Sequence, residues 1–497
     1  MNTKLLKQKI LDLAIRGKLT QQLKTDGTAK DLLTQISDER RKTRDERKGT
    51  GFACHSGAKR SGAIESKKSK DPMQITTLDK SEAPFEIPEN WEWVKLGDVA
   101  GDFQYGSAEK SQTEGKVAVL RMGNINRQGQ VDYSDLVYTS NDTEIAKYLL
   151  NKNDVLFNRT NSPEWVGKTA IYKGEIPAIY AGYIIRIRAY FNSDYLNYLM
   201  CSDYERNWSK EVKTDGVHQS NINAQKLMSF AVPLPPLAEQ QRIVAKIEEA
   251  FAEIDAIEKN KELLKTHIKQ TRQKILDLAI HGKLVPQNKS DEPASVLLER
   301  ITRDNPHYEK LGLDEAPFGI PENWCWCRLG DILDIARGGS PRPIQDYLTD
   351  AEDGLNWIKI GDTEKGGKYI EHVKEKIKPS GLNHTRAVKA GDFLLTNSMS
   401  FGRPYILKVD GCIHDGWLVL GNVEKTMIPD FLYFILSSDF IYQSFAFAAA
   451  GSTVKNLKSE TVQATLFPLP PLAEQDRIVA KIEELFSTLD QMERNLV

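Results

Sequence analysis

Cysteine is scarce: five residues in 497, at positions 54, 201, 325, 327 and 412. An odd handful of thiols does not make a disulfide framework and points to a reducing compartment. Cys325 and Cys327 flank Trp326, but no second Cys or His pair follows at zinc-ligand spacing, so no metal site is expected there. Long apolar runs are also missing. None approaches the roughly 20 residues that span a bilayer, and the opening MNTKLLKQKILDLAIRGKL is amphipathic and broken by charge. Neither a membrane span nor a signal peptide is expected, and the chain reads as cytoplasmic. Charge of one sign is lacking too: 67 Lys and Arg against 69 Asp and Glu give a net charge of −2. This excludes a uniformly basic coat for nucleic acid, but not a basic groove offset by acidic helices elsewhere. There is no G-x-x-x-x-G-K-[ST]; Gly167-Lys168-Thr169 lacks the upstream glycine, so no ATP-binding loop is expected. The Asn/Asp-Pro-Pro-aromatic tetrad that an amino-methyltransferase presents to a flipped base is absent as well, NSPEW being a poor imitation. No catalytic constellation emerges, and the chain is expected to be non-catalytic by itself.

What the chain does have is repetition. Apolar residues make up 40% and charged residues 27%, a globular composition with length for two or three domains. Three stretches occur twice. PFEIPENWEWVKLGDV from Pro84 returns as PFGIPENWCWCRLGDI from Pro317, 233 residues on. PLPPLAEQQRIVAKIEE from Pro233 returns from Pro468 with one change, 235 on. QKILDLAIRGKL from Gln8 returns as QKILDLAIHGKL from Gln273, 265 on. The last two are contiguous in mid-chain, from Pro233 to Leu284, and split between the two ends. That order reads as a circularly permuted repeat, a two-unit ring opened within one helix. If the halves fold alike, the ends of the chain meet in space.

The contiguous copy has the pattern of a long helix. After Pro236 no proline occurs until Pro286. A 3–4 spacing runs unbroken through Ile243, Ile247, Ala250, Ile254, Ile257, Lys261, Leu264, Ile268, Thr271, Ile275 and Leu278. So narrow a seam calls for one long partner helix. Gly282 sits where a left-handed terminator belongs. About 45 residues at 1.5 Å each make a rod of roughly 65 Å. The split copy is the natural partner, running antiparallel; a partner protein's helices are the alternative.

Between the rods lie two stretches of short apolar runs broken by Gly, Asn, Asp and Pro. VAVLRMGNI, DVLFNRT and AGYIIRIRAY in the first, and LNWIKIGDT, GDFLLTNS and GWLVLGNV in the second, read as strands. Helical patches follow at DYLNYLMCSDYERNWSKE and PDFLYFILSSDFIYQSFAF. The fold class expected is α+β, with mostly antiparallel sheets. Apart from the opening PENWxW the two stretches share little identity. The paired tryptophans, Trp91/Trp93 and Trp324/Trp326, are expected to anchor sheet to helix, with base stacking a remote second reading.

Polar, glycine-bearing loops recur at matched places. In the first stretch they offer Gln104, Tyr105, Ser107 and Lys110, then Asn158, Arg159 and Asn161, then Lys213, His218, Gln219 and Asn221. In the second they offer Arg337, Ser340 and Arg342, then Asn397, Ser398 and Arg403, then Ser452, Thr453, Lys455 and Asn456. Any one such loop is polar simply because it is a loop. Their repeated placement argues for contacts to bases and phosphates, which these side chains can make. The basic, aperiodic stretch between Ile36 and Pro84 reads as a solvated, partly disordered linker or as an arm that brushes DNA phosphates.

The doubled PLPPLAEQxRIVAKIEE, the QKILDLAIxGKL pair and their circular order resemble the specificity subunit of type I restriction–modification systems. On that resemblance residues 1–36 complete the second conserved helical region and 37–83 form the basic linker. Residues 84–232 and 317–467 are two target-recognition domains. Residues 233–284 are the central conserved helix, 285–316 a short helix and linker, and 468–497 the closing helix. The resemblance implies that each domain reads one half of a split double-stranded DNA target. It also implies that the antiparallel coiled coil sets the spacer and docks two methyltransferase subunits. These would supply S-adenosylmethionine for adenine methylation; motor–nuclease subunits would bring ATP and Mg for restriction. The competing expectation is a coiled-coil assembly scaffold without DNA sequence specificity.

Overall fold

The computed structural model describes residues 2–49, 75, 77–217, 219–303, 305, 308–312, 315–364, 366–397, 401–449 and 456–496. The chain divides into two compact units, Met1–Lys259 and Asn260–Val497. Each unit holds one copy of every repeated stretch in the same order: helix end, PENWxW strand, helix start. The permuted order along the chain is therefore, unit by unit, one order used twice, with the joint inside the long helix.

That helix is Leu237–Ile280, 44 residues and about 66 Å of rod. It ends as its glycine requires: Gly282 adopts φ +65°, and Lys283 N–H donates to Leu278 O at 2.8 Å. The opening helix Thr3–Ile15 ends identically at Gly17, φ +67°. Both glycines are doubly constrained, because a Cβ at Gly17 would collide with Pro88 and one at Gly282 with Pro321. The helix end and PENWxW are thus packed together, which accounts for their repetition as a set.

In the first unit Thr3–Ile15 runs antiparallel to the beginning of the long helix, Lys7 pairing with Asp255 and Thr3 with Glu258. Leu11, Ala14 and Ile15 share a core with Ile243, Val244 and Ile247. In the second unit the closing helix Leu472–Asn495 runs antiparallel to the remainder, Arg272 pairing with Asp490. Ile478, Val479 and Ile482 there share a core with Ile275, Leu276 and Ala279. The seam read from sequence is therefore not continuous. Ile243, Ile247, Ile254, Ile268 and Ile275 are buried and Leu278 partly so, but Ile257 and Leu264 are 44% and 40% exposed. Within each unit the short helix runs out near that stretch: the opening helix begins at Thr3, beside Glu258, and the closing helix ends at Asn495, little beyond the Arg272–Asp490 pair.

Each unit's main sheet has the same strand order. In the first it runs Ala100–Tyr105, Ile184–Ala189, Val155–Asn158, Thr169–Ile171, all antiparallel. In the second it runs Asp334–Arg337, Trp417–Gly421, Phe393–Thr396, Pro404–Leu407, with Tyr369–Ile370 added in parallel. A second sheet in each unit contains one parallel pair, Val117–Leu120 with Ala178–Tyr180 and Leu355–Ile358 with Gly411–Ile413. The late helical patches form Ser193–Met200 and Asp203–Val212 in one unit, Pro429–Leu436 and Asp439–Ala449 in the other. The linker read from sequence begins too early. Ala29–Gly49 is one helix, where its counterpart Ala294–Thr302 has nine residues. Residues 50–74 lie outside those described. Among the described residues no single helix is long and apolar enough to cross a membrane.

Candidate nucleic-acid interface

The AEQxR core of the repeated helix start fastens each sheet to its helices. Glu239 accepts from Trp91 Nε1 at 2.9 Å and from Gln22 at 2.6 Å. Gln240 accepts from Asn192 N–H at 3.0 Å and donates to Pro235 O, while Arg242 clasps Asp26. In the second unit Glu474 accepts from Trp324 Nε1 at 2.9 Å and Gln287 at 2.5 Å. Gln475 accepts from Ile428 N–H, and Arg477 clasps Asp291. Trp93 and Trp326 donate to the carbonyls of Phe85 and Phe318. The tryptophans anchor the frame, and Trp91, Trp93 and Trp324 are too buried to stack on a base.

On this frame the three polar loops of the first unit meet at one end of the main sheet. Asn161 and Thr160 pair with Ser220 and Asn221, whose amide donates to Thr160 Oγ1 at 2.7 Å. Ile222 N–H donates to Arg159 O, and Ala224 N–H to Tyr105 Oη at 3.0 Å. The Arg159 guanidinium lies 4.7 Å over the Tyr105 ring, its Nε donating to Gly182 O at 3.0 Å. Lys110 and Gln219 are exposed; Lys213 is half-buried against Asp215. His218 is outside the described residues.

Two candidates of this unit, Asn158 and Ser107, are corrected, and a third, Gln104, is partly held. Asn158 is wholly buried, facing the opposite side of its strand from Arg159. Ser107 is buried against Glu144. Gln104 is held by Arg186 at 2.5 Å and Tyr180 at 3.1 Å. Ser107 braces its loop through Glu144, the buried Asn158 amide has no hydrogen-bond partner, and Gln104, half-buried, is held only through its Oε1. Sequence reading passed over Tyr183, 48% exposed beside Gly182, because it sits in an apolar run. It also passed over Trp165, 45% exposed, with Arg127 stacked at 4.8 Å and Lys168 at 5.2 Å. An exposed tryptophan between two cations was legible there. Burial and then the Arg127 charge lower the pKa of Lys168, and burial and then the Arg206 charge lower that of Arg127 against the pull of Glu205, Cys201 and Glu164.

The second unit gathers its loops around Asp415, an acidic residue that a search for basic and amide side chains misses. Ser340 Oγ donates to Asp415 Oδ1 at 3.0 Å, and exposed Arg342 lies 3.4 Å from Oδ2. Arg337 Nε donates to Asp415 O at 3.1 Å, and Asn397 Nδ2 to the same oxygen at 2.8 Å. Burial raises the Asp415 carboxyl, but the Ser340 hydrogen bond and the charges of His414, Arg337 and Arg342 outweigh it and hold it below the usual range. His414 is pushed down, by burial first and then by Lys359, Arg337 and Arg342, against the pull of Asp415. Asn397 is 2% exposed and so braces rather than contacts. Arg403 turns away to stack on Tyr405 at 5.4 Å, beside a groove of about 680 Å³ lined by Tyr433, Tyr442 and Arg272. Asn456 is half-buried next to the loop end; Ser398, Ser452, Thr453 and Lys455 lie outside the described residues. Among the described residues no cluster of His, Cys, Asp or Glu could hold a metal.

The family model for the type I restriction modification DNA specificity domain matches twice, over residues 88–266 and 321–496. The chain belongs to the type I restriction–modification specificity family. Both matches run through a sheet and into the repeated helix, so each unit is one target-recognition domain with its share of the frame. Among relatives, the EcoAI specificity subunit of Escherichia coli is 25% identical over 98% of this chain and 90% of its own. The MjaX subunit of Methanocaldococcus jannaschii, a putative one, is 28% identical over 80% and 88%. The crystal structure of an HsdS subunit from Thermoanaerobacter tengcongensis matches with a TM-score of 0.52 at 19% identity, covering 84% of this chain and 94% of that one. That likeness concerns the fold.

Proposed function

We propose that each unit reads one half of a two-part DNA target and that the paired helices hold the two readers at a set spacing. The observation that carries this is the contrast at the sheet ends. Equivalent loops converge on equivalent frames but present different side chains, Tyr105 and Arg159 in one unit, Arg337, Arg342 and Asp415 in the other. One frame with two unlike ends suits one duplex with two unlike half-sites. The chain contributes recognition, and the chemistry belongs to partners. Two methyltransferase subunits docked on the helices would supply S-adenosylmethionine and methylate an adenine in each half. Motor–nuclease subunits, with ATP and Mg, would join for cleavage.

The test is to co-express the chain with its modification partners in cells lacking adenine methylation and sequence the modified adenines. A single motif of two defined halves around an undefined spacer is expected. Exchanging residues 317–467 for the corresponding domain of a relative should rewrite one half only. Change in both halves would defeat independent reading, and an absence of any motif would leave a scaffold.

A further inference from the structure

Rows of hydrogen bonds place the two reading ends in residue-by-residue correspondence. Asn158 pairs with Ile184 in one sheet as Thr396 pairs with Trp417 in the other. Gly106 N–H donates to Ile184 O as Gly338 N–H donates to Trp417 O. Ile222 N–H reaches Arg159 O as Leu457 N–H reaches Asn397 O. Tyr105 therefore corresponds to Arg337, Arg159 to Asn397, and Gly182 to Asp415. In each unit one arginine donates its Nε to the main-chain oxygen of that last position, Arg159 to Gly182 O at 3.0 Å and Arg337 to Asp415 O at 3.1 Å. The two arginines come from different strands yet converge on the same carbonyl. Main-chain oxygen is an acceptor whatever the side chain, so the anchor persists where the loop sequences differ.

Anchoring through Nε leaves both terminal amino groups of the fork forward. Among the described residues neither arginine has a protein acceptor on those groups. The Arg159 fork is also stiffened by the Tyr105 ring beneath it, and the main-chain oxygen of Arg337 is held by Arg386 Nε at 3.2 Å. A fixed pair of parallel donors fits a partner with two adjacent acceptors. On a major-groove edge that is guanine, through O6 and N7. A backbone phosphate also offers two adjacent oxygens to such a fork, so the two partners are told apart by the sequence dependence of the contact.

Resting on the two-reader function above, we infer that Arg159 and Arg337 each specify one guanine, one in each half-site. The amide groups of Asn161 and Asn221 flank the first and the Asp415–Arg342 pair flanks the second, so each arginine sits within a reading cluster.

The test uses the complete methyltransferase with Arg159→Ala, Arg159→Lys, Arg337→Ala or Arg337→Lys, reading the base frequency at every motif position and the unfolding midpoint of each variant. Loss of a bidentate contact predicts a roughly 5- to 150-fold fall in discrimination at one guanine. Arg159 variants should relax one half and Arg337 variants the other, with midpoints unchanged. Lysine should relax specificity as alanine does while keeping more overall methylation, since it keeps charge but not the fork. An unchanged motif methylated uniformly less would make these phosphate contacts and overturn the inference, as would relaxation at a base other than guanine or in the same half for both. Wild-type enzyme yielding no two-part motif would instead sink the function itself.

Discussion

The frames of the two units match atom for atom where their reading ends do not. Trp91–Glu239 and Trp324–Glu474 are both 2.9 Å, and the Arg242–Asp26 and Arg477–Asp291 clasps are both 2.6 Å at their shortest. At the sheet ends a stacked tyrosine and arginine in one unit stand where an arginine and a buried asparagine stand in the other. A carboxylate buried in the frame is strongly constrained, since each hydrogen bond it accepts offsets its own desolvation. A loop end exposed to solvent carries no such constraint and can differ freely. On the proposed function, the difference teaches that stability and specificity are lodged in separate residues.

That separation is broken most sharply by Glu239→Ala or Glu474→Ala. Either leaves a buried Trp Nε1 without acceptor and removes the shorter of two bonds from a glutamine amide that also donates to Gly17 O or Gly282 O, and about 3–5 kcal/mol of unfolding free energy should go. Denaturant unfolding of each variant checks this, with Arg337→Ala as the control expected within about 0.5 kcal/mol of the parent. A loop-end variant that destabilised as much as a frame variant would refute the division.

A second contrast lies beneath the sheets and responds to pH. Ser202 and Ser438 occupy the same turn, each bonding the carbonyl three residues back. Counting on three residues, Glu205 in the first unit stands where Ile441 stands in the second; both are buried. Burial pushes the Glu205 carboxyl up to about 8, against the opposing Ser209 hydrogen bond and the charges of Arg206 and Arg127. The folded protein then holds a proton that the unfolded chain releases above its ordinary value of 4.5. Stability from this group is complete below that value and falls as pH rises to about 8, by an amount on the order of 2–4 kcal/mol. Glu205→Gln should flatten the decline and raise the midpoint at pH 8, whereas Ile441 gives the second unit no such dependence. An equal pH slope in parent and variant would dismiss the assignment.

Periodicity and turn chemistry made the long helix, its Gly282 terminator and the central strands of the sheets legible in advance, because these depend on local spacing. What spacing could not decide was parity at the sheet ends. Neighbours on a strand face opposite ways, so Asn158 and Arg159 looked alike as polar residues of one loop, and only the pairing to Ile184 shows which is outward. Asp415 and Tyr183 were hidden for a related reason. Their roles come from partners distant in sequence, Ser340 and Arg342 for one, the Gly182 turn for the other, and no composition rule brings those together.

The seam offers the smallest expected effect and the finest distinction. A strict 3.5 repeat treats Ile257 and Leu264 as equals of Ile247 and Ile268, yet the former pair is exposed and the latter is buried. In the isolated chain Ile247→Ala or Ile268→Ala should cost about 2–4 kcal/mol through lost burial and a residual cavity. Ile257→Gln and Leu264→Gln remove much less buried area and should change stability by less than about 1 kcal/mol. If the exposed pair proved as costly as the buried one, the middle of the long helix would have to be covered in solution, and the partner covering it would have to come from outside its own unit's short helix.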